Sequence, residues 1–338
     1  MRPTVHSLAP TGRTGGRVYL RMLHEATAGQ VNWQTVPDLK RGYRVRRWRK
    51  LRHLASIAPR IHALRHAPGL FVWDDLSLLH FTRAMRARTI FVLHHYEPLQ
   101  ADSDPIEPLL WRRLFKLLPQ CAAVVCVAPY WADVVRSHGV VNPHIIYNAY
   151  DLTEIDRARA ADRAACRAEF DIPPETIAVY TGKAVHWKGT EDVAALLADT
   201  PDIRVIASGR NTIGFTGTHL DPPDDRYFRL LRACDVGVFA PRMQEGWSRC
   251  AAEALLMGMP SLVRPIAGLG DLARLTGQPA PDFGRLPEQV RDLARTPPVT
   301  DPYLALSHFD QGYFADAWGD LLRAHLSYSA PRFHATRL

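Results

Sequence analysis

The sequence predicts an α/β protein made of two Rossmann-like domains, and three observations carry that expectation. Short apolar, strand-like runs alternate with amphipathic helix-length patterns, as expected for parallel sheets covered on both faces. The alternation occurs twice, on either side of Asp151 to Pro174, a stretch rich in Ala, Arg and Asp that ends in Pro173-Pro174 and reads as a linker. With 338 residues and 47% hydrophobic content, the chain is long enough for two cores of ordinary size. The expected bounds are 1–155 for an N-terminal domain, 172–305 for a C-terminal domain, and 306–330 for a final helix.

In the first half, Thr4 to Leu8, Trp33 to Pro37, Leu70 to Asp74, Thr89 to His94, Ala122 to Ala128 and Ile145 to Tyr147 read as strands. Gly12, Gly15 and Gly16 precede a helix opening near Arg17-Val18-Tyr19-Leu20. In the second half, Ile177 to Tyr180, Arg204 to Ala207, Val236 to Ala240 and Ser261 to Val263 are the strands, and Phe309 to His325, with Trp318, is helical. Ligands are expected at the C-terminal strand ends.

The most informative segment is Glu245-Gly246-Trp247-Ser248-Arg249-Cys250-Ala251-Ala252-Glu253, between the run Asp235 to Ala240 and Ala254-Leu255-Leu256-Met257-Gly258-Met259-Pro260. Ser248 reads as a helix N-cap and Gly258 as its C-terminal stop, which makes strand, loop, helix and strand a βαβ unit. The N–H groups of residues 249 to 251 are expected to face outward, a ready site for a diphosphate. Glu253 lies roughly 7 to 8 Å along the axis from the cap at ~1.5 Å per residue. One ligand could then touch Glu245, the helix start and Glu253, as a sugar, a diphosphate and a ribose would. The plain alternative is a capped helix with a solvated acid on each side.

A second motif follows the run Thr176 to Thr181: Gly182-Lys183-Ala184-Val185-His186-Trp187-Lys188-Gly189, with a helical pattern from about Glu191. The chain has only five lysines, at 40, 50, 116, 183 and 188, and two of them sit here. A compact ammonium after a strand and beside glycines suits a phosphate.

These segments resemble the family 4 retaining glycosyltransferases of GT-B fold, whose signature is two glutamates separated by seven residues. The resemblance implies two Rossmann-like domains with a donor cleft between them and a last helix that crosses back to the first domain. It implies that Glu245 and the loop Gly246-Trp247-Ser248 hold the donor sugar and that Glu253 binds the ribose hydroxyls. Lys183 and Lys188, beside Gly182, would grip the diphosphate. Gly16 would lie in a glycine-rich loop near the donor phosphates, and His94, with His95 as its rival, would point at the reacting sugar. Asn148-Ala149-Tyr150-Asp151 is similar to the segment that closes the first domain in this family, with Ala149 in place of a glycine. The resemblance extends over roughly residues 12 to 320.

The implied function is metal-independent, retaining transfer of a sugar from a nucleotide diphosphate donor to an acceptor hydroxyl, with no cofactor. The acceptor would be a glycan or lipid-linked, in bacterial envelope or exopolysaccharide glycan synthesis. The alternatives are a nucleotide-sugar epimerase or phosphorylase of the same fold, or a non-catalytic nucleotide-sugar-binding partner. No histidine pair has a zinc-ligand spacing with cysteine or carboxylate, and Asp102-Ser103-Asp104 reads as a turn in a Pro-containing loop. Five cysteines without a C-x-x-C pair point to reduced thiols. The absence of an apolar run near the N-terminus leads to the expectation of a cytoplasmic protein.

Lys40 to Arg52 holds eight Lys/Arg in 13 positions, with no acid between Asp38 and Asp74. Val45, Trp48, Leu51, Leu54, Ala58 and Ile61 recur there at helical spacing. This segment reads as a domain helix with a solvated basic face, which could also bring the protein peripherally to an anionic membrane surface. A nucleic-acid patch is the least supported reading, because Tyr43 and Trp48 are its only aromatics.

Overall fold

The computed structural model describes residues 2–12, 14–37, 49–96, 106–296 and 301–328. The chain divides into two compact units, Met1–Ala149 with Gln311–Leu338, and Tyr150–Asp310.

The first unit holds β1 (Thr4–Leu8), α1 (Gly15–Thr27), β2 (Asn32–Val36), α2 (Arg49–Ala63), β3 (Leu70–Trp73), α3 (Arg83–Arg86) and β4 (Thr89–Leu93). It continues with α4 (Glu107–Leu117), β5 (Ala123–Cys126), α5 (Pro129–Ser137) and β6 (His144–Ile145). The six strands pair in parallel in the order β2-β1-β3-β4-β5-β6. The central strands β3, β4 and β5 are buried along their whole length, so both of their faces must be apolar. The edge strand β2, Asn-Trp-Gln-Thr-Val, keeps exposed positions instead. Of the stripe expected on the basic segment, α2 buries Leu54 and Ile61 with Ile57 between them. Most of Lys40 to Arg52, including Val45 and Trp48, lies outside the described residues, as does Asp102-Ser103-Asp104.

The second unit holds α6 (Leu152–Arg159), α7 (Arg163–Glu169), β7 (Ile177–Tyr180), α8 (Thr190–Leu196), β8 (Ile203–Ser208), β9 (Thr218–Leu220) and α9 (Asp224–Ala233). Then come β10 (Val236–Phe239), α10 (Arg249–Leu256), β11 (Ser261–Val263), α11 (Ala267–Thr276), α12 (Leu286–Arg295) and α13 (Pro302–Leu306). Its parallel sheet runs β11-β10-β7-β8-β9. Val179, Val205, Val236, Val238 and Leu262 meet Leu286 and Val290 in its core. Burying one such side chain contributes about 1.5 to 3 kcal/mol. The short edge strand β9, Thr-His-Leu, was not legible as a strand because all three residues are only partly buried.

The stretch Asp151 to Pro174 is not a linker. Its composition is that of two capped helices, with Asp151 accepting from the Glu154 N–H and Asp162 from the Ala164 N–H. Ile155, Cys166, Phe170 and Ile172 are buried. Arg163 and Arg167 on α7 both reach Asp235, the residue before β10, while the Asp235 carboxylate also accepts from the Ala178 N–H at 2.7 Å. The buried Arg167 donates further to the carbonyl of Ala233 at 3.1 Å. These bonds fasten the segment to the second sheet.

The final helix, α14 (Gln311–Tyr328), belongs to the first unit and packs along α1. Trp318 Nε1 donates to Tyr19 Oη at 3.1 Å, and Phe314 meets the Tyr19 ring edge-on at 5.0 Å. All three side chains are fully buried.

Candidate active site

In the second sheet the neighbours β7 and β10 are separated by two strands in sequence, so the connections leaving them run to opposite sides. Such a switch point opens a crevice at the C-terminal strand ends. The loop after β7 carries Lys183 and Lys188, and the loop after β10 carries Glu245 to Ser248. The sheet therefore brings together residues 57 positions apart: Lys188 Nζ donates to Glu245 Oε1. Burial alone would lower the Lys188 pKa, but the adjacent Glu245 more than compensates and holds it above the ordinary lysine value. The ammonium is charged at neutral pH.

Gly189 ends the lysine loop with φ +67°, and an added Cβ there would lie 2.2 Å from the carbonyl oxygen of Ala240, just past β10. The loop backbone thus lies directly on the β10 exit, which sets the reach of Lys188. Lys183 is half-buried, its stem beside Gly209, and Thr190 Oγ1 donates to its carbonyl at 2.9 Å. A Cβ on Gly182 would meet Cys250 Sγ at 3.2 Å, which places Gly182 against the first turn of α10.

Ser248 stands at the N-cap position of α10 but does not cap it through its side chain. Its backbone is left-handed, φ 60°, and its hydroxyl turns to Cys250 Sγ at 3.6 Å. The Ala251 N–H donates to the Ser248 carbonyl at 3.1 Å, so the outward-facing set expected at residues 249 to 251 loses its third member. A second non-glycine residue with positive φ, Ala267 at 49°, precedes Gly268, whose N–H donates to the Glu245 carbonyl at 3.1 Å. The backbone is therefore in the sparsely populated left-handed region at two points near Glu245, three residues after it and next to its hydrogen-bond partner Gly268. The helix stops as expected: Gly258, φ +77°, donates to Leu255 O, and Met259 donates to Ala254 O, a Schellman end.

Glu253 is held on two sides. Arg249, one turn earlier, pairs with it at 2.9 Å, and Tyr227 Oη donates to its other oxygen at 3.2 Å. Burial would lower the Arg249 pKa, but Glu253 raises it overall. Burial pushes the Tyr227 and Tyr180 phenols well above their ordinary value, so both keep their protons. A phenol has one proton. With that of Tyr227 given to Glu253, Tyr180 must donate to Tyr227 (3.3 Å) and Ser208 to Tyr180 (2.8 Å). The relay Ser208, Tyr180, Tyr227, Glu253 was not visible in the sequence, because its members come from four separate elements, β8, β7, α9 and α10, without a fixed spacing. Trp247 is buried, with Nε1 donating to Tyr150 Oη at 3.0 Å, so its side chain anchors the loop. Gly246 beside it is buried too.

In the first unit, Gly16 and His94 adjoin: a Cβ on Gly16 would come 2.9 Å from His94 Cδ2. A glycine is needed there for the imidazole to keep its place. His94 Nε2 lies 3.5 Å from Asp74 Oδ2, within ion-pair range but without hydrogen-bond geometry, and Arg17 reaches the same carboxylate at 3.4 Å. Burial alone would raise the Asp74 pKa, but Arg17 and His94 bring it below the ordinary value. Asp74 and Arg17 were missed as site residues, although both flank motifs that sequence reasoning had marked. His95 stands next to His94, just past β4, and is exposed.

Residues 4–154 match the family model described as Glycosyltransferase Family 4. The chain is similar in structure to the sucrose-phosphate synthase of Thermosynechococcus elongatus, with TM-score 0.77 and 17% identity over 97% of this chain and 100% of that one. It is similar to the Anabaena protein Alr3699/HepE, solved in complex with UDP and glucose, with TM-score 0.72 and 14% identity over 96% of this chain and 100% of that one. A third similar structure is the α,α-trehalose 6-phosphate synthase of Burkholderia multivorans, with TM-score 0.65 and 15% identity over 97% and 100% of the two chains. No curated protein sequence matches the chain. The chain thus has the GT-B fold over nearly its whole length, and its residues 4–154 match the Family 4 model.

Proposed function

We propose that the protein is a retaining, metal-independent glycosyltransferase that moves a sugar from a nucleoside diphosphate donor to an acceptor hydroxyl. The observation that carries this reading is the pairing of Lys188 with Glu245 at a sheet switch point, beside the start of α10, which also bears Glu253. A diphosphate calls for positive charge, supplied by Lys188, Lys183 and the positive end of the helix. A ribose calls for a fixed acceptor, and Glu253 is fixed by Arg249 and Tyr227. Glu245 is left to orient the transferred sugar. The Anabaena protein was also solved in complex with UDP-glucose, which supports a nucleotide-sugar donor here.

The bond between the anomeric carbon and the diphosphate oxygen breaks, and its electron pair passes to the diphosphate. Lys188, Lys183 and the α10 terminus stabilise that growing charge. The acceptor hydroxyl attacks on the face the diphosphate leaves, giving its proton to the departing oxygen, so the configuration is retained. His94, kept in place by the open space at Gly16, serves the reacting sugar; this role rests on the family resemblance.

The acceptor we propose is a glycan or lipid-linked sugar of bacterial envelope or exopolysaccharide synthesis, reached at an anionic membrane surface through Lys40 to Arg52. No helix of the described residues is long and apolar enough to cross a membrane. The test is a matrix of nucleotide sugars and acceptors, with the anomeric configuration of the product read by NMR. An inverted product would refute retention, and loss of activity with EDTA would refute metal independence. Turnover that isomerises the donor without any acceptor would replace transfer by epimerisation.

A further inference from the structure

The two nitrogens of His94 have different surroundings. Its Cδ2–Nε2 edge faces Gly16, where an added Cβ would come 2.9 Å from Cδ2 and 3.1 Å from Nε2, and the buried Tyr19 ring meets the imidazole at 77° with centroids 5.2 Å apart. Nε2 is closed off from solvent, with Asp74 Oδ2 3.5 Å away, while the His94 side chain as a whole keeps 16% of its surface exposed. Nδ1 is thus the nitrogen that the ring offers to a ligand.

Which nitrogen of a neutral histidine carries the proton is set by the partner of each. Burial alone would raise the Asp74 pKa, but Arg17 and His94 bring it below the ordinary value, so the carboxylate is ionised at neutral pH and can only accept. A lone pair on Nε2 would face that anion across a buried gap, whereas an N–H there points a donor at it.

We infer that Asp74 is a positioning residue: it holds the neutral His94 ring in the Nε2–H tautomer, so that Nδ1 meets a ligand hydroxyl as a hydrogen-bond acceptor. The inference rests on the reading of His94 as facing the reacting sugar and names what the ring does there. Arg17 gives it a sharp consequence. Its guanidinium lies 3.4 Å from both Asp74 oxygens and can only donate. In Asp74→Asn the amide must therefore turn its carbonyl to Arg17 and its NH2 to His94, where it donates to Nε2 and moves the ring proton to Nδ1. A ligand hydroxyl then meets a donor in place of an acceptor.

The test is 15N–1H correlation NMR of the histidine side chains in the full chain at about pH 8.5, where an ordinary imidazole is neutral. His94→Gln identifies the His94 signal among the 15 histidines. Wild type should show Nε2–H, Asp74→Asn should show Nδ1–H, and Asp74→Glu, which keeps the anion, should show Nε2–H again. With a nucleotide sugar that the wild type turns over, Asp74→Asn should lower kcat/KM by about tenfold to a hundredfold, and Asp74→Glu should recover most of it. Should either variant fail to fold by circular dichroism, the wild-type tautomer alone decides.

An Nδ1–H tautomer in wild type, or a tautomer that Asp74→Asn leaves unchanged, would overturn the inference and leave the transferase reading standing. A tautomer that moves without any loss of kcat/KM would show that no hydroxyl depends on Nδ1, and would overturn it as well. If wild type turned over no nucleotide sugar, the transferase reading would fall, and the hydroxyl partner of Nδ1 with it.

Discussion

Replacing Gly189 by Ala tests whether the lysine loop is set by its seat on the β10 exit. The residue has φ +67°, and its new Cβ would lie 2.2 Å from the Ala240 carbonyl oxygen, where ordinary contact begins at 3.4 Å. An L-residue in the left-handed region costs roughly 1 to 2 kcal/mol. The overlap is with backbone, which cannot rotate aside, and overpacking of this kind adds about 1 to 3 kcal/mol. Gly258 supplies the control: its φ is +77°, but the nearest atom to a new Cβ is the flexible tip of Arg159 at 3.9 Å. Gly258→Ala should therefore lose about 1 to 2 kcal/mol, and Gly189→Ala about 2 to 5. At ~2 to 4 °C per kcal/mol for a unit of this size, scanning calorimetry should show Tm losses of about 2 to 8 °C and about 4 to 20 °C respectively. Gly189→Ala should also weaken diphosphate binding, since Lys188 moves with the loop, whereas Gly258→Ala should not. Equal Tm losses in the two variants would refute the contact between the loop and β10 as the feature that sets Lys188.

Lys188→Ala should lower kcat more than it raises the donor KM, because the ammonium meets charge that grows as the diphosphate leaves; unchanged steady-state kinetics would remove Lys188 from the site. Glu253→Ala should weaken nucleotide diphosphate binding by about 1.5 to 3 kcal/mol and Tyr227→Phe by about 1 kcal/mol, measured by calorimetry; a Glu253→Ala variant that binds like wild type would dismiss the ribose assignment. The raised pKa of Lys188 has a defined sign: its contribution to stability is complete below the ordinary lysine value of 10.5 and is lost as pH rises through the higher folded value. The stability difference between wild type and Lys188→Met should thus be constant from neutral pH to about 10 and shrink above it in denaturant titrations, and a difference that shrinks already near pH 8 would contradict the ion pair. Changing Arg44, Arg46, Arg47 and Arg49 to Gln should reduce co-sedimentation with anionic vesicles while leaving circular dichroism unchanged; equal binding to anionic and neutral vesicles would leave the segment without a membrane role.

Much of this protein could be read from the order of its residues, because the relevant forces are local. β1, β7 and β11 lie where their apolar runs begin and end, and other expected strands differ from the observed ones mostly by one or two residues at an end. A strand buried on both faces declares itself by continuous hydrophobicity, as in Leu70–Trp73 and Val236–Phe239. Gly258 could be marked as a helix stop because a left-handed turn requires the residue type that tolerates it. Local pattern misled where composition was ambiguous. Ala, Arg and Asp between 151 and 174 suit a linker as well as a capped helix, and only the contacts of Arg163 and Arg167 with Asp235 decide between them. Ser248 is the residue type that caps helices, but the strained loop turns its hydroxyl away.

What the tertiary structure alone decided is which marked residues touch. The strand order β11-β10-β7-β8-β9 sets two sequence-distant loops side by side and so joins Lys188 to Glu245. Packing of α9 on the sheet gives Glu253 its partner Tyr227 and Tyr227 its partner Tyr180, and the first unit places Asp74 and Gly16 around His94. Residue type and spacing record how a segment meets its own neighbours along the chain. Contacts between segments depend on strand order and side-chain packing, which arise only when the whole sheet assembles.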